Sequence, residues 1–109
     1  MKKDGKTKKK TSKPKYVFRS ADFYRLLDEQ KYRCKYSGRE LTPSNCTAEH
    51  VIPMRKQGFH EETNIVLVDQ HVGYLKRYLT PDETFELALD LVKTMGKERG
   101  FAIRKTRKV

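Results

Sequence analysis

From residue 20 onwards the apolar positions of this chain fall first at helical spacing, then in short strand-like runs, then at helical spacing again. Phe23, Leu26 and Leu27, running on to Gln30-Lys31, predict an amphipathic helix over roughly 20–31, with Ser20 as N-cap and Asp22 in the first turn. Phe23 and Leu27 are core positions on this reading. Tyr36 to Leu41 reads as a turn leading into a short strand, and Thr42-Pro43-Ser44-Asn45 is loop material. Thr47 to Ile52 is a strand whose ladder stops at Pro53, which has no N–H to donate. Ile65-Val66-Leu67-Val68 is a β-branched run able to pair antiparallel with it. The polar stretch between them, Met54 to Thr63, is long enough to arch over a groove. Val72, Leu75 and Leu79 restore the helical period from about Gln70 to Leu79. Thr80-Pro81-Asp82-Glu83 is a helix start, because threonine caps, proline suits the first position and Glu83 completes a capping box. Phe85, Ala88, Leu89 and Val92 then mark one face of a packing helix ending near Gly96. The pattern predicts an α+β domain in the order helix, hairpin, helix, helix, with no internal repeat.

Met1 to Lys15 has no apolar period; rich in Lys, Thr, Ser and Gly, it cannot offset the entropy of ordering and is expected to be disordered. At 109 residues and 36% hydrophobic the chain has room for one small domain with a modest core. No stretch approaches the ~20 apolar residues of a membrane span, and no signal-peptide h-region is present, so the expectation is a cytoplasmic protein with no membrane partner. Cys34 and Cys46 are read as reduced, partly buried thiols, with a site made of both plus a histidine as the minor alternative. The formal charge of +11 divides unevenly: +8 over residues 1–19, −2 over 20–96 and +5 over 97–109. The excess therefore lies in the ends, which suits mobile, sequence-independent contact with polyphosphate.

Polar chemistry concentrates around the hairpin. Glu49-His50 stands at the end of the first strand, Pro53 follows, and Asn64 sits on the threshold of the second. Hydrolysis of a phosphodiester needs a base for the attacking water and positive charge beside the phosphoryl oxygens. A histidine whose ordinary pKa is near ~6.5 supplies the base at physiological pH. On local sequence alone Asn64 could equally be an ordinary turn residue before a strand.

The ordered series Cys-x-x-Ser-Gly-x-x-Leu (Cys34 to Leu41), Glu-His-x-x-Pro (Glu49 to Pro53), Asn-Ile-Val-Leu (Asn64 to Leu67) and Lys-Arg-x-Leu-Thr (Lys76 to Thr80) resembles the core of the HNH endonucleases, over about 45 of 109 residues. The resemblance implies a small ββα-metal (His-Me finger) core, a β-hairpin followed by a helix, with an N-terminal and a C-terminal packing helix. The nuclease domain would then span 16–98, between a disordered basic tail at 1–15 and a basic tail at 99–109. It implies metal-dependent hydrolysis of DNA, with His50 as general base, Asn64 fixing the loop and so the base, and Glu49 as a metal ligand where aspartate is usual. The partner helix position falls on Gly73, which cannot ligate, so the expectation is that His71 substitutes from the first turn of the helix or, failing that, that Glu49 and water hold the ion more weakly. One divalent ion is implied, Mg²⁺ or Mn²⁺, with Ni²⁺ or Zn²⁺ as alternatives if a histidine ligates. Arg55, Lys56, Lys76 and Arg77 are expected to contact nucleic acid. Many relatives clamp a structural zinc with paired Cys-x-x-Cys knuckles; here Ser37, Asp69 and Val72 replace three of the four ligands, so none is expected. The competing readings are a catalytically decayed HNH-fold module that only grips nucleic acid, and a basic structural protein of a ribonucleoprotein.

Overall fold

The structure is a computed structural model and describes residues 15–107, so the disordered tail expected at 1–15 lies almost wholly outside the described residues. Three helices, α1 (Ser20–Glu29), α2 (Gln70–Lys76) and α3 (Pro81–Met95), surround a two-stranded antiparallel sheet of β1 (Cys46–His50) and β2 (Ile65–Asp69). The molecule is a small α+β fold in which a hairpin leads directly into a helix. Single 3-10 turns at Met54–Lys56, Glu62–Asn64 and Lys97–Arg99 punctuate the loops. Among the described residues no helix is long and apolar enough to cross a membrane.

The strands pair from Cys46 opposite Asp69 to His50 opposite Ile65. Because side chains alternate across a strand, this register puts Leu67 and Val68 on opposite faces, and both are completely buried. Leu27, Cys34 and Leu41 complete the buried cluster, with Phe18, Phe23 and Leu26 packed around it. Burying a leucine such as Leu67 contributes about 2 kcal/mol by area. Helix α2 crosses the other face closely at Gly73: a Cβ there would stand 3.0 Å from Thr47 Cγ2 and 3.6 Å from Val68 Cγ2.

Helix α1 begins one residue earlier than the sequence suggests, with Ser20 inside the first turn and not capping it. Arg19 is the N-cap, and its N–H is accepted by Asp22 Oδ2 at 3.0 Å. The helix stops at Glu29 because Lys31 and Tyr32 both take the left-handed region, at φ +56° and +58°. Gln30 explains the early stop. Its carboxamide accepts the Leu67 N–H and donates to the Leu67 carbonyl, each at 2.9 Å, so a side chain satisfies the outer edge of β2. The strand expected within Tyr36 to Leu41 is reduced to one isolated bridge, Arg33 to Glu40. Backbone bonds from Cys34 to Arg39 and from Gly38 to Cys34 fold that segment back on itself instead, with Gly38 at φ +73°.

Helix α2 ends at Lys76, short of the expected Leu79, where Arg77 takes φ +35°. The capping box of α3 forms as expected: Thr80 Oγ1 accepts the Glu83 N–H at 3.2 Å and Glu83 Oε1 accepts the Thr80 N–H at 2.9 Å. No residue of α3 is fully buried, and Phe85 remains 64% exposed, so this helix packs more thinly than its apolar face predicts.

Candidate functional site

An open groove of about 530 Å³ lies between the end of β1, the Met54–Lys56 turn and one face of α2. Glu49 and His50 both line it. Adjacent strand residues ordinarily point to opposite faces, but β1 stops at His50 and the chain bends through Val51-Ile52 to the buried Pro53, so the two side chains reach one space. From α2 the groove receives Gln70, Gly73 and Tyr74, and beyond the helix end Arg77 and Tyr78, which keep the i, i+3, i+4, i+7 spacing of one helical stripe.

Asn64 clasps the loop that follows β1. Its Oδ1 accepts the Ile52 N–H at 2.9 Å, and its Nδ2 donates to the carbonyls of Ile52 at 3.0 Å and Phe59 at 2.8 Å. One carboxamide therefore ties both ends of the excursion together. Gly58 is required there for space alone, because a Cβ would stand 1.8 Å from the Ile52 carbonyl oxygen. The closed loop brings His60 back to the site, with Nδ1 3.0 Å from His50 Nε2. The two rings meet edge to face at 5.2 Å, and the Tyr16 ring packs on His60 at 5.4 Å. The sequence offers no periodic signal for this contact; ten residues of loop decide it.

Burial sets the electrostatics. It raises the Glu49 carboxyl above its ordinary value, against the opposing pull of Lys76 and Arg77. It lowers the His50 imidazole below 6.5, helped by His60 and Lys76. His50 is thereby kept as a neutral acceptor at physiological pH. Lys76 has no exposed surface, and its Nζ donates to the His50 carbonyl oxygen at 2.7 Å. Burial lowers its pKa while Glu49 supports its charge.

The expected contacts with nucleic acid therefore divide. Arg55 and Arg77 line the groove, and the Arg55 guanidinium lies 3.8 Å from the centre of the Tyr78 ring. Lys56 is paired with Glu83 on the exposed surface, so its charge is already matched. Lys76 requires a correction: it is an interior brace of β1, because the α2 stripe that carries it turns toward the sheet, and it cannot touch a polymer. His71 requires another. Its N–H satisfies Asp69 Oδ1 at 2.8 Å as the helix cap, and its side chain is not among those lining the groove with Glu49. One helical residue subtends about 100°, so the position that faces Glu49 is 73 and not 71. A Cβ on Gly73 would lie 3.9 Å from Glu49 Oε1. Tyr74 and Tyr78, exposed on the groove wall, are site residues that the sequence did not single out.

The residues do not fit a self-sufficient metal centre. Among the described residues, Glu49 is the single acidic side chain on the groove, and no group of three or more His, Cys, Asp or Glu is placed to hold an ion. Cys34 and Cys46 are free thiols. Burial works to raise the Cys34 thiol, but hydrogen bonds from Ser37 and from the backbone of Asp69, Ser37 and Tyr36 bring it below its ordinary value. No protein-family model matches the chain, and no curated protein matches it.

Proposed function

We propose that the groove binds a nucleic-acid phosphodiester and hydrolyses it, with His50 as general base, in the manner of the HNH endonucleases that the order of the motifs resembles. The observation that carries this reading is the convergence of Glu49 and His50 at a strand end, on one groove walled by Arg55 and Arg77. The two guanidiniums hold the phosphate, since the planar fork suits its oxygens. His50, neutral because its surroundings oppose the imidazolium, takes a proton from the attacking water. The buried Lys76 holds the His50 backbone, and the Asn64 clasp holds the loop around it. The basic ends of the sequence add non-specific attraction to DNA.

The test is cleavage of supercoiled plasmid with Mg²⁺ or Mn²⁺ against EDTA, parent beside His50→Ala. Cutting by the parent and a loss of ~10² to 10⁴ in the variant are expected, with DNA affinity retained. A variant rate within threefold of the parent removes His50 from the base role. A second reading, a module that grips nucleic acid without cutting it, is favoured by one observation: Gly73 occupies the helix position opposite Glu49 and supplies no ligand. Tight DNA binding with no cutting under any ion decides for that module.

A further inference from the structure

We propose that His60 is the positioning residue of the site, accepting the Nε2–H of His50 at its own Nδ1 and so leaving His50 Nδ1 as the free lone pair on the groove. The proposal rests on the base role given to His50. At a pH where both imidazoles are neutral, a ring-nitrogen contact of 3.0 Å holds one proton, so one ring donates and the other accepts. If His60 donated, His50 would use its one lone pair on His60 and carry a proton on Nδ1, with nothing left to accept from water. If His50 donates, its Nδ1 is unprotonated and His60 carries its own proton on Nε2. This second arrangement alone is compatible with a base. It parallels the general way in which a partner on one ring nitrogen selects which nitrogen does chemistry.

The geometry makes His60 a fixed partner despite its place on an exposed loop. The Tyr16 ring packs against it at 5.4 Å, and the residue before it is anchored through the Phe59 carbonyl, which accepts from Asn64 at 2.8 Å. The same Asn64 side chain holds Ile52, two residues beyond His50, from both its N–H and its carbonyl. Base and partner are thus carried on the two ends of one clasped loop. His60 does not itself line the groove and acts through its contact with His50, which does.

The experiment uses the full chain labelled with ¹⁵N-histidine and long-range ¹H–¹⁵N correlation at a pH where both rings are neutral, beside single-turnover cleavage of an oligonucleotide duplex. The parent should show His50 protonated on Nε2. His60→Ala should lower the cleavage rate at saturating DNA by roughly 10- to 100-fold without changing the DNA concentration for half-saturation, the range typical for loss of a partner that orients an active imidazole. His60→Asn, whose Oδ1 stands near the place of Nδ1, should recover the rate to within a few fold. His50 protonated on Nδ1 in the parent overturns the proposal, as does His60→Ala cutting within threefold of the parent. The tautomer readout needs no activity: an inert parent with His50 protonated on Nε2 would remove the base reading and leave the hydrogen bond standing.

Discussion

The two walls of the groove differ in how completely they are built. On the loop wall, Glu49, His50, His60 and Asn64 are tied to one another or to backbone by hydrogen bonds of 2.8 to 3.0 Å or share the cleft directly. On the helix wall, the position opposite Glu49 is a glycine, the neighbouring histidine turns elsewhere, and the lysine faces inward. Orientation of a base needs a clasp, which one asparagine supplies. Capture of a cation needs several donors converging on one point, and a helix delivers them only at the phase that faces the cleft. The loop wall thus carries the proposed chemistry, and the helix wall decides how strongly any ion could be held.

The largest expected effect is structural and sits on the helix wall. Lys76→Met should cost about 2 to 3 kcal/mol in urea unfolding, because it leaves the His50 carbonyl without its buried, charged donor. Lys56→Ala, which breaks only an exposed pair with Glu83, should stay within about 1 kcal/mol and serves as the control. Equal costs for the two would mean that Lys76 is not the interior brace described. On the loop wall, Asn64→Ala should cost about 1 to 3 kcal/mol and also slow cleavage, since three bonds that shape the loop are lost. A stability loss with an unchanged rate would separate the loop from the base.

How much of this was legible in the sequence follows the same division. The antiparallel hairpin and the start of α3 were readable because they rest on short-range signals, a β-branched run and a capping box, whereas β1 runs from Cys46 to His50 and ends before Pro53, not at Ile52 as the proline alone suggests. The pairing of Glu49 and His50 in one cleft was readable from motif order, given a strand that ends there. Gln30 on Leu67, 37 residues away, and Lys76 under His50, 26 residues away, were not. Both are polar side chains recruited to satisfy backbone groups, and no local pattern shows which backbone group will be left over. His71 stands away from the cleft for a simpler reason, since two residues of helix turn it about 200° from the position that faces Glu49.

The smallest expected effect sharpens the helix wall directly. Gly73→Asn alone meets Thr47 Cγ2 at 3.0 Å, so its gain in helix propensity is offset by crowding. Combined with Thr47→Ser, which removes that methyl, asparagine should fold in place beside Glu49 and tighten Mn²⁺ binding severalfold by calorimetry. His71→Ala should leave Mn²⁺ binding unchanged. Weakened binding in His71→Ala would restore His71 as a ligand and undo the helical-phase argument.

The central claim, that His50 works as a neutral base on this groove, is tested most directly by the pH dependence of single-turnover DNA cleavage. Protonation of His50 blocks the acceptor, so the rate must fall as pH falls through its pKa. Burial, His60 and Lys76 all lower that pKa below 6.5, so the parent should keep most of its rate at pH 6.5 and lose it only at more acid pH. In His50→Ala that acid limb should vanish with the activity. A parent profile with its acid limb at or above 6.5, or one that is the same in His50→Ala, would contradict the account.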